Sequence, residues 1–214
     1  LTALLALEKG DLSDVVTVGE NAAASSFPVD ASLCGLQEGD QLTLGDLLYG
    51  LLLSSGNDAA TAIAEHISGS EEAFVEEMNA RAKELMAVNT HFTNPHGLHD
   101  DNHYTTAYDL YLIFNTCIQN EEFMKVIEAE SYTASIKEAD GSVRTEEWKP
   151  TNYYARGIVN APDGVTVVGG KTGTTGEAGY CLILLDRNSA DHPYISIVMG
   201  AGSRDILYQN MNAL

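Results

Sequence analysis

The chain changes periodicity late in its length, and that change restricts it to folds that set helices against an antiparallel sheet. Thr43-Leu44-Gly45-Asp46 fits a capping box, with Thr43 as N-cap and Asp46 reaching back, and opens the apolar run Leu47 to Leu53. That helix is expected to end near Ser54 to Asn57. A second helix follows over about 58–67, and a third begins at Ser70, whose hydroxyl caps a first turn holding Glu71 and Glu72. Thr106-Ala107-Tyr108-Asp109 reads as another capping box, starting a helix toward Ile118. The last third is different. Val165 to Gly170, Tyr180 to Leu185 and Tyr194 to Gly200 are β-branched and aromatic runs separated by Gly, Asn and Asp, which predicts an antiparallel meander. A terminal helix is expected from Leu207.

Upstream of Thr43, Leu1 to Lys9 is helical in composition and stops at Gly10, while 15–42 holds short β-like runs such as Val15-Val16-Thr17-Val18. The resulting expectation is one α/β domain over 1–214. It divides into a helical lobe of about 43–130 and a sheet lobe formed by about 1–42 and 131–214. The first helix opens on its apolar stretch with no capping residue before it, so we read it as cut, with residues missing upstream.

Composition excludes several function classes. With 31 acidic residues against 11 basic ones, the formal charge is −20. No basic run exists that would grip phosphates, so nucleic acid is not an expected partner. Cys34, Cys117 and Cys181 are odd in number and show no C-x-x-C spacing, so they read as small buried hydrophobes rather than a disulfide or zinc framework. His91, His96, His99 and His103 lie close together beside Asp100 and Asp101. Their spacing suits neither one helical face nor a zinc pattern, and we read them as a polar loop, with no metal expected. No apolar run reaches the ~18 residues a membrane span needs.

Two short motifs carry chemistry. Lys171-Thr172-Gly173-Thr174, preceded by Gly169 and Gly170, puts a cation and two hydroxyls along a strand edge. Gly173 has no Cβ, so a substrate backbone can approach closely. Such an edge can bind a carboxylate and stabilise a developing oxyanion. Ser55-Gly56-Asn57 falls at a helix end, where short polar side chains also serve as ordinary caps. Trp148, Tyr153 and Tyr154 are read as core or loop anchors, with a place flanking a cleft as the alternative.

The order of these motifs resembles the serine-type D-alanyl-D-alanine carboxypeptidases among the low-molecular-weight penicillin-binding proteins. The matching stretches are Leu47 to Ala60, Phe92-Thr93-Asn94-Pro95-His96-Gly97-Leu98, His103 to Asp109, Gly170 to Thr175, and Ala178-Gly179-Tyr180-Cys181-Leu182. The resemblance implies a β-lactamase/transpeptidase-like fold, an antiparallel sheet packed on helices with a mostly helical second lobe. It implies acyl-enzyme chemistry on peptidoglycan stem peptides ending in D-Ala-D-Ala, reaction with β-lactams, an extracytoplasmic location and no cofactor. By the same resemblance, Ser55 assists proton transfer to the leaving group and Asn57 orients the substrate amide. Lys171 holds the proton network and the anionic substrate. Thr172 and Thr174 contact the terminal carboxylate, and the Thr174 N–H serves as an oxyanion donor. An arginine after the last strand commonly binds that carboxylate in the family, and Arg204 and Arg156 both remain open for the part.

Enzymes of this chemistry also need a nucleophile in S-x-x-K. No serine among the 214 residues has a lysine three positions on. The resemblance places the nucleophile and its lysine a few residues before Leu1, so this chain alone is expected to be inactive. Two rivals stand beside this reading. One is a non-catalytic peptidoglycan-binding scaffold, which the absence of S-x-x-K upstream would favour. The other is a class A β-lactamase, which needs an Asp where Gly56 stands.

Overall fold

Gly10 ends the first helix, its N–H bonding back to the Ala6 carbonyl at 2.9 Å, and the chain then alternates short strands with helices before settling into a long meander. The computed structural model describes residues 1–214. In chain order the elements are α1 (Thr2–Lys9), β1 (Val15–Thr17), β2 (Gln41–Thr43), α2 (Leu44–Leu53), α3 (Asn57–Ser68), α4 (Glu71–Glu84), α5 (Ala107–Cys117) and α6 (Glu121–Ile127). After them come β3 (Tyr132–Lys137), β4 (Val143–Trp148), β5 (Val165–Thr175), β6 (Gly179–Asn188), β7 (Pro193–Ala201) and α7 (Arg204–Ala213).

The caps act where the sequence places them. Thr43 Oγ1 accepts from the Asp46 N–H (3.0 Å), and the Asp46 carboxylate accepts from the Thr43 N–H (2.8 Å), closing the box that starts α2. Ser70 Oγ accepts from the Ala73 N–H at the start of α4. At α5 only half of the expected box forms. Thr106 Oγ1 accepts from the Asp109 N–H, but the buried Asp109 carboxylate turns away to accept from the Asn89 N–H and the Thr90 hydroxyl, both at 2.8 Å. Anchoring the 89–90 loop outcompetes the local cap.

Two sheets form. β5, β6 and β7 make the expected antiparallel meander in sequence order. The second sheet, in the order β1-β2-β3-β4, contains a hairpin at 132–148 that the sequence reading did not assign. Helix α6 was also unassigned.

Burial follows the two-residue period of β6. Ile183 and Leu185 face the main core, which α1, α2 and α3 build from Leu4, Leu5, Leu47, Leu48, Leu53 and Ile63. Leu182 and Leu184 face the other way, onto Leu207, Tyr208 and Met211 of α7. The meander is therefore covered on both faces, and β5 lies at its edge. Cys34 and Cys117 are buried as expected, but Cys181 is only partly so, because its place on β6 opens toward the cleft described next. No helix is long and apolar enough to cross a membrane.

Candidate active site

Helix α2 ends on a non-glycine residue in the left-handed region. Ser55 has φ 57°, a conformation that glycine adopts at helix C-termini without cost and serine does not. The turn aims the Ser55 hydroxyl across to β5, where Lys171 Nζ donates to Ser55 Oγ at 2.7 Å and to the Thr172 carbonyl at 2.7 Å. These residues stand 116 positions apart in the chain, so only the fold brings them together.

The residue between Ser55 and Asn57 has no freedom. A Cβ on Gly56 would sit 2.2 Å from Cys34 Sγ and 2.8 Å from Asp58 Oδ1. An aspartate has no room here, which counts against the β-lactamase alternative. Asn57 opens α3 and is 7% exposed; its N–H donates to the Ser32 carbonyl at 2.9 Å.

Asp58, which the sequence reading passed over, is fully buried, and its carboxylate accepts from the N–H groups of Cys34, Gly35, Leu36 and Ala59. That carboxylate ties the 32–36 loop to the start of α3. A buried charge is tolerated only with such a complement of donors. The signal was an acidic residue in the first turn of a helix directly after the motif.

Ser55, Asn57, Lys171, Thr172, Gly173 and Thr174 all line one cleft of about 350 Å³ between the α2–α3 junction and the edge of β5. His96, Thr151, Tyr180, Arg204 and Tyr208 complete its walls, and Asp30 contributes one carboxylate. Thr151 and Thr172 share a hydroxyl hydrogen bond of 2.6 Å, a partner the sequence did not announce. Of the two arginines left open, Arg204 lines the cleft. Arg156 does not, and its guanidinium lies 5.8 Å from the Tyr153 ring. Among the clustered histidines, His91 Nδ1 pairs with the Asn102 carbonyl, His96 Nδ1 accepts from the Leu98 N–H, His99 Nε2 pairs with the Asp101 carboxylate, and His103 Nδ1 accepts from the Thr93 N–H.

The electrostatics of the cleft run against the molecule as a whole. Lys171 and Arg204 form no ion pair in a chain with 31 acidic residues. Loss of solvation lowers the Lys171 ammonium to about 8. Burial and the neighbouring His103 bring His96 down to about 4, so its ring is neutral near pH 7. A serine hydroxyl held by a lysine, an asparagine, a strand edge and an unpaired arginine make a site able to relay a proton and fix an anion.

Comparison with known proteins gives the same reading. The family profile described as D-alanyl-D-alanine carboxypeptidase, Peptidase_S11, matches residues 1–203. The chain is 36% identical over 205 residues to the D-alanyl-D-alanine carboxypeptidase DacF of Bacillus subtilis, covering 95% of this chain and 49% of that protein. It is 37% identical over 201 residues to DacA of Haemophilus influenzae, covering 92% and 47%. The chain thus spans about half the length of the curated relatives it matches. The crystal structure of the Streptomyces K15 DD-transpeptidase superposes with a TM-score of 0.85 at 30% identity, covering all of this chain and 85% of that one. Penicillin binding protein 5 from Haemophilus influenzae gives 0.84 at 33% identity, covering all of this chain and 59% of that one. Motif order, cleft and family profile agree, and the chain belongs to the Peptidase_S11 family of serine-type D-alanyl-D-alanine carboxypeptidases.

Proposed function

We propose that these residues form the body of an active site that removes the terminal D-Ala from peptidoglycan stem peptides through a serine acyl-enzyme, outside the cytoplasm. The observation that carries this reading is the Lys171 Nζ to Ser55 Oγ hydrogen bond, made in a cleft whose second cation, Arg204, has no carboxylate partner.

The attacking serine in this proposal is that of an S-x-x-K motif, which none of the serines in residues 1–214 completes. It adds to the carbonyl of the penultimate D-Ala as its hydroxyl proton passes to the lysine of the same S-x-x-K motif, and the Thr174 N–H on the edge of β5 stabilises the resulting oxyanion. As the tetrahedral intermediate collapses, the C–N bond breaks and the departing D-Ala amine takes a proton through Ser55, which Lys171 resupplies. Asn57 orients the substrate amide. Thr172 and Thr174 bind the terminal carboxylate, and Arg204 supplies the charge that Arg156 is too remote to give. Gly173 presents no Cβ, which leaves the strand edge open to the substrate backbone. Water then cleaves the ester, and no metal or organic cofactor takes part. A β-lactam forms the same ester without a departing group, so it persists. An amine in place of water would give transfer rather than hydrolysis, the reaction named for the K15 relative.

The test is release of D-Ala from an acylated peptide ending in D-Ala-D-Ala, using the intact protein. Lys171→Ala is expected to lower kcat/KM by about 10²–10³-fold, the usual loss for a group aimed at transition-state charge, while the fold is retained. Unchanged kcat/KM would contradict the assignment.

A further inference from the structure

Arg204 occupies a position that costs it both entropy and electrostatic energy. It is the first residue of α7, where the helix dipole disfavours a cation, and its side chain is exposed. A free arginine there would sample many rotamers. Instead its Nη1 donates to the Tyr153 hydroxyl at 2.7 Å, and its guanidinium lies 5.2 Å from the Tyr153 ring and 5.7 Å from the Tyr180 ring. Both distances fall within cation–π range.

Tyr153 is itself fixed. Its ring stacks on that of buried Tyr208 at 5.1 Å and 7°, and its N–H donates to the Tyr208 hydroxyl at 2.8 Å. Tyr180 and Tyr208 line the cleft, whereas Tyr153 does not. Only one of the five guanidinium N–H groups is used on Tyr153, so donors remain for a bidentate grip on a carboxylate.

We propose that Tyr153 is a positioning residue, holding Arg204 over the cleft so that the enzyme selects substrates with a free C-terminal carboxylate. This rests on the reading of Arg204 as the carboxylate anchor. The aromatic side chain acts through Arg204 and touches no reacting atom. The hydroxyl sets the reach of the guanidinium, the ring limits its rotamers, and Tyr208 transmits the rigidity of α7.

The experiment measures kcat/KM on the intact protein for an acylated peptide ending in D-Ala-D-Ala and for its C-terminal amide, and takes the ratio. Tyr153→Phe keeps the ring that stacks on Tyr208 and removes only the hydroxyl. It is expected to lower the acid-to-amide ratio by about three- to tenfold, as loss of one hydrogen bond implies, with an unchanged melting temperature. Tyr153→Leu should lower the ratio further, and Arg204→Ala should lower it most, leaving the share that Lys171, Thr172 and Thr174 supply. In the Arg204→Ala background, Tyr153→Phe should have no effect on the ratio. An unchanged ratio in Tyr153→Phe, with the ratio lowered in Arg204→Ala, overturns the positioning role and leaves the anchor standing. A ratio unchanged in Arg204→Ala overturns the anchor, and the positioning role with it.

Discussion

A lysine ammonium shielded from solvent beside a serine hydroxyl, with no carboxylate at hand, works against the stability of the fold that holds it. Loss of solvation alone lowers Lys171 to about 8 from an ordinary 10.5. The sign of the consequence follows from proton counting. Between pH 8 and 10.5 the unfolded chain holds this proton and the folded chain does not, so stability from this group rises with pH across that window. Below pH 8 the full penalty is present. Replacing Lys171 with Met removes it, so Lys171→Met is expected to melt above the wild type at pH 7, with the gap narrowing by pH 9.5. A gap independent of pH, followed by thermal denaturation at several pH values, would contradict the desolvated ammonium. Ser55 in the left-handed region belongs to the same small set of costly residues and lines the same cleft as Lys171, while Asp58, next to Asn57 in the chain, accepts from four N–H groups. Asp58 was hidden in the sequence because one acidic residue in a first helical turn looks like any other.

Among the elements, β5 bears the most constraint. Its Gly169 lies against the end of α6, where an added Cβ would stand 2.3 Å from the Ile127 carbonyl oxygen. Gly169 provides this close approach to α6, and Gly170 a second one to β6, where an added Cβ would stand 2.0 Å from the Ile183 carbonyl oxygen; together they seat the strand from which Lys171 reaches Ser55. Gly169→Ala is expected to cost about 2 kcal/mol, or roughly 4–8 °C in melting temperature for a chain of this size. A calorimetric scan matching the wild type would show that α6 and β5 are free to separate. The strands of the meander were legible because their β-branched runs are nearly continuous, and α2, α4 and α5 because a capping residue marks each start. The hairpin at 132–148 was not. Only Ala134, Ile136 and Trp148 are buried in it, and the other positions are filled by residues such as Lys137, Arg144, Glu146 and Glu147, so the two-residue period is nearly all polar. Helix α6 is too short for its period to show.

At the scale of the molecule, the two apolar clusters on either face of the meander fix where β5 can lie, and with it the cleft against the α2–α3 junction. The excess of acidic side chains leaves most cations paired on the surface, while the cleft keeps Lys171 and Arg204 for an incoming carboxylate. The residues of Ser55-Gly56-Asn57 and Lys171-Thr172-Gly173-Thr174 were legible as motifs, but Thr151, which bonds Thr172, and Tyr153, which bonds Arg204, were not tied to the site, since neither stands in a pattern that spacing can reveal. The most direct measurement is intact-mass spectrometry after incubation with penicillin, run on residues 1–214 and on a longer protein that carries the proposed S-x-x-K serine. The account predicts a mass increase of one penicillin on the longer protein alone, in keeping with a serine nucleophile outside these residues. An adduct on the 214-residue chain, or none on either protein, would contradict it.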